Sequence, residues 1–194
     1  MTAMGDHVAK SALLVIDMQK YFLQGGDDGD TRQLIDSCRE AISVARAAAM
    51  PIVHILTEYR ADQKDWPEAW RGRQGAWCAN LVAGHELAEL IDGIDIHPQD
   101  LQIEKRRFSG FYDTELDDIL RCLGCDLVYA IGYSAEVSVL MTLNDAYNRG
   151  YWTGIIEEGV ATGREFGKGF FGYLEHFIGT RRLTLEQFRQ QLAM

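Results

Sequence analysis

The sequence lacks the long apolar run of a membrane-spanning helix and carries few basic residues. No stretch approaches the about 18 consecutive apolar residues that a span requires. Lys and Arg total 19 against 29 Asp and Glu, which gives a formal net charge of −10. A surface of this charge repels nucleic acid and anionic lipid, so we expect neither as a partner. The first ten residues, MTAMGDHVAK, contain no apolar core of a secretion signal, and we therefore expect a cytoplasmic location.

The four cysteines do not form a metal-binding or redox pattern. Cys122 and Cys125 have CxxC spacing, but no second ligand pair accompanies them, and they end a helical pattern just before an apolar run. We therefore assign them to packing. A GxGxxG sequence after the first strand is also absent, and the glycines of residues 163–169 lack the spacing of a phosphate-binding loop. A dinucleotide site is thus not predicted, and we expect no cofactor.

Short apolar runs alternate with helical patterns along the whole chain. This alternation predicts an α/β fold of the Rossmann-like three-layer type, with a mostly parallel sheet of about six strands and helices on both faces. The length of 194 residues fits a single domain over residues 1–194. Strands are predicted at residues 11–17, 52–56, 101–104, 127–131, 152–156 and 182–183. Helices are predicted at residues 31 to about 49 with Thr31 as N-cap, 113–123 with Asp113 or Thr114 as cap, 170–176, and from Thr184 onward. Residues 58–79 are rich in tryptophan and show neither the apolar alternation of a strand nor the apolar spacing of a helix.

Residues 126–150 form the unit around which the rest is organised. An apolar run ends at Gly132, and apolar residues then recur at helical spacing as far as Arg149, which a glycine follows. This pattern predicts a strand, a tight turn and a helix. Such a turn lies at the carboxyl edge of a parallel sheet, where the free N–H groups of the helix face a ligand.

The turn carries a recognisable motif, and two others precede it in the chain. GYSAEVSV at residues 132–139 resembles the nucleophile turn of the isochorismatase-like cysteine hydrolases, in which a cysteine usually stands at the position of Ser138. LLVIDMQ at residues 13–19 is similar to the first strand of that family, and EKRRFSGF at residues 104–111 is similar to its lysine-bearing segment. The resemblance covers roughly residues 11 to 160 and identifies fold and site, but not substrate.

The resemblance implies a triad of Asp17, Lys105 and Ser138. It also implies an oxyanion hole formed by the amides of Ser134 and Ser138, and a cis peptide bond between Tyr133 and Ser134. The chemistry is consistent, because a carboxylate can take the proton of a thiol while an ammonium stabilises the thiolate. Taken singly, Asp17 and Lys105 favour a structural ion pair, but the nucleophile turn between them favours catalysis, because a structural pair has no reason to lie beside an open helix N-terminus.

Serine is the departure from the family pattern, because its hydroxyl normally needs a general base such as histidine. None of the five histidines lies in a matched motif, and His54 is assigned to the core. Two explanations stay open: a cysteine hydrolase inactivated by serine at position 138, or an enzyme without a covalent step. Cys78 is a third, more remote source of a thiol.

Substrate selection is expected from side chains outside the triad. Arg60 follows the second strand at a position similar to that of the arginine with which members acting on carbamoylated amino acids hold a carboxylate, so a carboxylate-bearing substrate is expected. The nicotinamidase branch has a metal-binding Asp-x-His there, whereas this chain has Glu58-Tyr59-Arg60, so we expect no metal. The aromatic loop also makes a homo-oligomer the expected state. The substrate-binding candidates are Phe22, Tyr59, Arg60, Trp66, Trp70, Phe108 and Tyr133.

These features predict a hydrolase that cleaves a C–N bond of a small amide, ureide or N-carbamoyl compound. A vinyl-ether hydrolase of the isochorismatase type, which needs no covalent intermediate, is the alternative within the same fold. A catalytically inactive binding protein that keeps Asp17 and Lys105 for stability is the alternative from another class.

Overall fold

The computed structural model describes residues 10–24, 29–161 and 167–193. Within them, six strands form one sheet in the order β3-β2-β1-β4-β5-β6, and every neighbouring pair is parallel. This confirms the predicted α/β fold with its parallel sheet. None of the helices there combines the length and the hydropathy that crossing a bilayer would take. The strands are β1 Ser11–Ile16, β2 Ile52–Thr57, β3 Leu101–Lys105, β4 Leu127–Gly132, β5 Trp152–Val160 and β6 Arg181–Leu183.

Helices cover both faces of the sheet, which gives the three layers predicted. Parallel crossovers place helices on the faces, and the central strands are therefore apolar throughout, as in β1 and β4. One apolar core lies between the sheet and α1 with α5, and the other lies between the sheet and α2, α3 and α4. The helices are α1 Gly29–Ala47, α2 Leu116–Cys122, α3 Leu140–Asn148, α4 Gly167–Phe177 and α5 Leu185–Leu192.

Several helix starts differ from the prediction, and the structure shows one cap that was not predicted. Helix α1 begins at Gly29, so Thr31 lies inside its first turn and is not the N-cap. Helix α2 begins at Leu116, because Asp113 has a φ of 54° and the Thr114 hydroxyl bonds to the backbone on both sides of it. The glycine-containing residues 163–169 lie partly outside the described residues, and the last three belong to α4. Thr184 caps α5 in a reciprocal capping box with Gln187.

The segment after β2, which follows neither period in the sequence, folds onto its own small apolar core. Two 3₁₀ helices, Trp77–Leu81 and Glu86–Ala88, complete it, and an isolated bridge pairs Tyr59 with Val82 within it. Burial raises the pKa of the Tyr59 hydroxyl above its ordinary value. The segment thereby forms one wall over the carboxyl edge of the sheet. Its core consists of Tyr59, Trp66, Ala76, Cys78, Leu81 and Ala88.

Gly132 allows the two central strands to approach closely where they end. Its φ is 124°, and a Cβ there would lie 1.9 Å from the carbonyl oxygen of Ile16. The amide of Tyr133 donates to that same oxygen at 2.9 Å. Only glycine fits this backbone conformation and this space. The end of β4 is thus held against the end of β1, where Asp17 follows.

Candidate active site

Three strands bring Asp17, Lys105 and Ser138 together at the carboxyl edge of the sheet. Asp17 follows β1, Lys105 ends β3, and Ser138 lies in the turn after β4. The Nζ atom of Lys105 lies 2.9 Å from Oδ2 of Asp17 and 3.2 Å from Oγ of Ser138. Both charged side chains are 1% exposed. Lys105 therefore contacts both of the other groups that the motifs single out, and all three are almost fully buried.

Thr57, the last residue of β2, connects the two charges. Its hydroxyl donates to Oδ1 of Asp17 at 2.8 Å and accepts from Nζ of Lys105 at 2.7 Å. The backbone of Thr57 is fixed by buried Gln19, whose side chain bonds to both the amide and the carbonyl oxygen of Thr57. The ammonium also donates to the carbonyl oxygen of Arg107 at 3.2 Å. Both charges are thus held by neighbouring strands.

The carboxylate of Asp17 keeps one oxygen available. Oδ1 accepts from Thr57, whereas Oδ2 is buried and takes no well-aligned hydrogen bond, so that its contact with Lys105 is an ion pair without hydrogen-bond geometry. Buried polar atoms in this situation are uncommon and often serve catalysis. The backbone of Asp17 has a φ of 51°, a region in which non-glycine residues cluster at functional sites. Asp17 thus combines an unusual backbone conformation with an oxygen that lacks a well-aligned hydrogen-bond donor.

The turn that carries Ser138 is a π-helical turn, Ala135–Val139, which runs directly into α3. Only an ordinary helix start was predicted from the sequence. Turns of this type are rare and occur frequently at functional sites. The peptide bond between Tyr133 and Ser134 is cis, as predicted.

A cavity of about 320 Å³ opens above Ser138. Its size is at the lower end of the range of small-molecule sites. Two stacked aromatic pairs belong to its walls: Phe22 with Tyr133 at 5.6 Å between ring centroids, and Trp77 with Phe108 at 6.5 Å. The cavity therefore suits a small ligand with an apolar or planar body. The described residues that line it are Tyr21, Phe22, Thr57, Tyr59, Trp77, Arg107, Phe108, Tyr133, Ser134, Val137 and Ser138.

Of the seven substrate-binding candidates, four line this cavity: Phe22, Tyr59, Phe108 and Tyr133. The structure places the other three outside its walls. Trp66 is 3% exposed and lies in the small core under the segment, with its indole N–H bonded to the carbonyl oxygen of Arg60. Trp70 packs edge-on against Trp77 and so supports the wall from behind. Arg60 turns its guanidinium to Asp62, at 2.9 and 2.6 Å, and its side chain is 61% exposed.

Sequence reasoning missed five lining residues: Tyr21, Thr57, Trp77, Arg107 and Val137. A signal existed for Thr57, because it is a polar residue at the carboxyl end of an apolar parallel strand. Arg107 stands two residues after Lys105 and was read only as part of a motif. Trp77 had no signal, since its position depends on how an aperiodic segment folds.

Neither cysteine nor histidine supplies an alternative nucleophile or base in the described cavity walls. Cys78 is fully buried, and burial raises the pKa of its thiol to about 11. His54 is fully buried in β2 and contacts Asp100, which agrees with its assignment to the core. Within the described ranges, no group of three or more His, Cys, Asp or Glu side chains could hold a metal ion. The expectation that the protein needs no metal stays a prediction.

The fold, the three motifs and the contact between their side chains define a class of protein. The family model described as the Isochorismatase domain matches residues 11–171, and the chain therefore belongs to the isochorismatase family of hydrolytic enzymes. The structure is similar to that of N-carbamoylsarcosine amidase from Thermoplasma acidophilum, with 30% identity, a TM-score of 0.76, and coverage of 91% of this chain and 97% of that one.

Other relatives agree with this placement. Ureidoacrylate amidohydrolase from Caulobacter segnis is 27% identical over 87% of this chain and 80% of its own length. An isochorismatase family protein from Desulfovibrio vulgaris shares the fold with a TM-score of 0.85 at 23% identity, over 96% of this chain and all of that one. The residues carrying the three motifs are thus set in the fold expected of the family.

Proposed function

We propose that this protein hydrolyses a C–N bond of a small amide, ureide or N-carbamoyl compound, with Asp17, Lys105 and residue 138 as its catalytic groups. The observation that carries the proposal is the contact of Lys105 Nζ with both Asp17 Oδ2 and Ser138 Oγ beside the cavity. Two relatives bear the names of an amidohydrolase and an amidase, which supports the reaction class.

With cysteine at position 138, each group has a defined role. The Asp17 carboxylate takes the thiol proton, and Lys105 stabilises the thiolate, which attacks the carbonyl carbon. The amides of Ser134 and residue 138 stabilise the oxyanion. Asp17 returns the proton to the leaving nitrogen, and water then hydrolyses the thioester. These steps use proton transfer and one covalent bond, so the proposal includes no cofactor.

With serine at position 138, the same site favours a second candidate, a vinyl-ether hydrolase. The observation behind it is the hydroxyl itself, which has no histidine among the described lining residues to activate it. In that reaction Asp17 would protonate the substrate as a general acid and water would attack, so residue 138 would not form a bond. The hydrolysis of C–N bonds remains our first choice, because the names of two relatives point to it.

The test is Ser138→Cys, assayed by ammonia release over a panel of amides, ureides and N-carbamoyl compounds. We expect the cysteine form to exceed the serine form by about 100-fold or more for at least one compound, since activation of a nucleophile by acid–base groups contributes about 10²- to 10⁴-fold.

Ser138→Ala is the matched control, because it removes the nucleophile and leaves Asp17 and Lys105 in place. In a separate assay with a vinyl ether as substrate, cleavage that survives in the alanine form would favour the second candidate. A cysteine form that is folded, yet no faster than the serine form on any compound, would contradict the covalent mechanism. Ligand binding without turnover in all three forms would identify a binding protein.

A further inference from the structure

The cavity carries one charge of its own. Of the eleven described residues that line it, only Arg107 is ionised at neutral pH. Lys105 contacts Ser138, but it also pairs with Asp17, so these two charges offset. The chain as a whole has a formal net charge of −10, and a positive cavity in so acidic a protein is the opposite of what composition alone would produce.

The guanidinium of Arg107 is held in place but has no acidic partner. Its Nη1 donates to the carbonyl oxygens of Asp65 at 2.9 Å and Arg106 at 2.6 Å. In the part of the chain that the structure describes, no carboxylate lies within ion-pair distance of Arg107, and its Nη2 and Nε make no hydrogen bond. A half-buried, fixed cation with free donors is prepared for an anion, because a planar guanidinium binds a carboxylate through two parallel bonds.

Arg60 and Arg106 differ from Arg107, because each has a carboxylate partner and neither lines the cavity. Arg60 is bonded twice to Asp62 and lies outside the cavity. Arg106 pairs with Glu104 at 3.2 Å and with Asp65 at 3.4 Å, and it does not line the cavity either. Their charges are already compensated, so a substrate anion gains little from either of them.

We propose that Arg107, and not Arg60, determines specificity by binding a carboxylate of the substrate. Lys105 donates to the carbonyl oxygen of Arg107 itself, so the anion-binding and catalytic groups share one short backbone segment. A substrate that spans both must be short. This inference deepens the proposed function and rests on it for the reaction step, whereas the binding of the carboxylate can be measured without turnover.

The experiment compares acids with their neutral amides by titration calorimetry, on the chain with Ser138 in place. N-carbamoylglycine and 3-ureidopropionate are the acid probes, and the corresponding amides are the neutral probes. We expect the acids to bind more tightly than the amides. Arg107→Gln should weaken acid binding by about 10- to 100-fold, the range for hydrogen bonds to charged groups, and leave amide binding unchanged.

Arg106→Gln is the matched control and should bind all four probes as the unsubstituted chain does. Arg107→Lys, which keeps the charge without the fork, should retain part of the preference for acids. An unsubstituted chain that does not prefer acids would overturn the proposal, whether or not the Arg107 variants fold. Equal weakening of acids and amides by Arg107→Gln would also overturn it.

Failure of this inference can be told apart from failure of the proposed function. An Arg107-dependent preference for acids, with no ammonia release from the Ser138→Cys form, would leave the binding inference intact and remove the reaction. Ammonia release from that form with equal kcat/KM for acids and amides would support the proposed reaction and overturn the inference about Arg107.

Discussion

Thr57 is the residue on which the arrangement of the two buried charges depends. Its hydroxyl bonds to Asp17 and to Lys105 at once, and it is 2% exposed. Thr57→Val keeps the shape of the side chain but leaves each charged group short of a partner. We expect the free energy of unfolding, measured in urea, to fall by about 1–3 kcal/mol, the cost of unsatisfied buried polar groups.

Thr57→Ser is the control for that change, because it keeps the hydroxyl and removes only a methyl group. It should lose less stability than Thr57→Val. If the serine and valine variants are equally destabilised, the methyl group and not the hydroxyl carries the effect, and Thr57 has no part in holding the ion pair.

At the scale of single residues, the sequence identified the groups within motifs and missed those brought in by the fold. Asp17, Lys105 and Ser138 each follow or end an apolar strand, so parallel topology alone places them at one edge. Arg60 follows such a strand too, yet the chain turns after Tyr59 and Asp62 takes its guanidinium. Arg107 was missed although it lies within a motif, because nothing in the motif tells which of its side chains faces the cavity. Trp77 was missed because the fold of an aperiodic segment decides its position.

At the scale of elements, the close approach of β1 and β4 requires glycine at position 132. Alanine there would place its Cβ against the Ile16 carbonyl and force an unfavourable φ. We expect Gly132→Ala to lower the free energy of unfolding by about 3 kcal/mol or more, combining backbone strain with overpacking. Thermal and urea unfolding would measure the loss.

Gly84→Ala separates the two causes, since Gly84 has a φ of 78° but open space around its Cβ position. It should cost only about 1–2 kcal/mol, the strain of a left-handed backbone. Equal losses at Gly84 and Gly132 would mean that the contact between the strand ends contributes nothing.

Strands and helices could be predicted where apolar residues follow one regular spacing, and less well where an unusual backbone conformation sets the type or the start of an element. The strands were predicted from continuous apolar runs, and the last helix from apolar residues at helical spacing, whereas the capping box of Thr184 with Gln187 was not predicted. The π-helical turn at Ala135–Val139 was not foreseen, because its apolar residues recur much as they would in an α-helix. The start of α2 was placed too early, since nothing in the sequence reveals the left-handed conformation of Asp113.

For the molecule as a whole, buried His54 makes stability depend on pH. Burial lowers its pKa below the ordinary 6.5, although the carboxylate of Asp100, 3.3 Å away, opposes this and Arg46 assists it. The unfolded chain therefore binds more protons between the two pKa values. As pH falls below about 6.5, the free energy of unfolding should decrease by up to about 1.4 kcal/mol per pH unit, until the folded-state pKa is reached.

Urea unfolding between pH 8 and 5 would show this slope, and His54→Gln should reduce it. His97→Gln, at an exposed position, should leave it unchanged. Asp100 affects stability in a different pH range. Desolvation would raise the pKa of its carboxyl, but its bonds to the His97 amide and to Arg46 outweigh this and lower the pKa. Its contribution to the free energy of unfolding is therefore lost only as pH falls below the ordinary 3.8. A slope that persists without His54 would assign the dependence to other groups.

The place of Lys105 in the sheet order has a mechanical consequence. Lys105 ends β3, which stands at the edge and pairs only with β2, whereas Asp17 and the turn with Ser138 follow the two central strands. An edge strand is held by one row of hydrogen bonds and opens more readily than the centre. If β3 opened, the ammonium would leave and Asp17 would remain buried without its countercharge, which is energetically costly. The ion pair therefore also resists fraying, and it ties one edge strand of the sheet to the central strands.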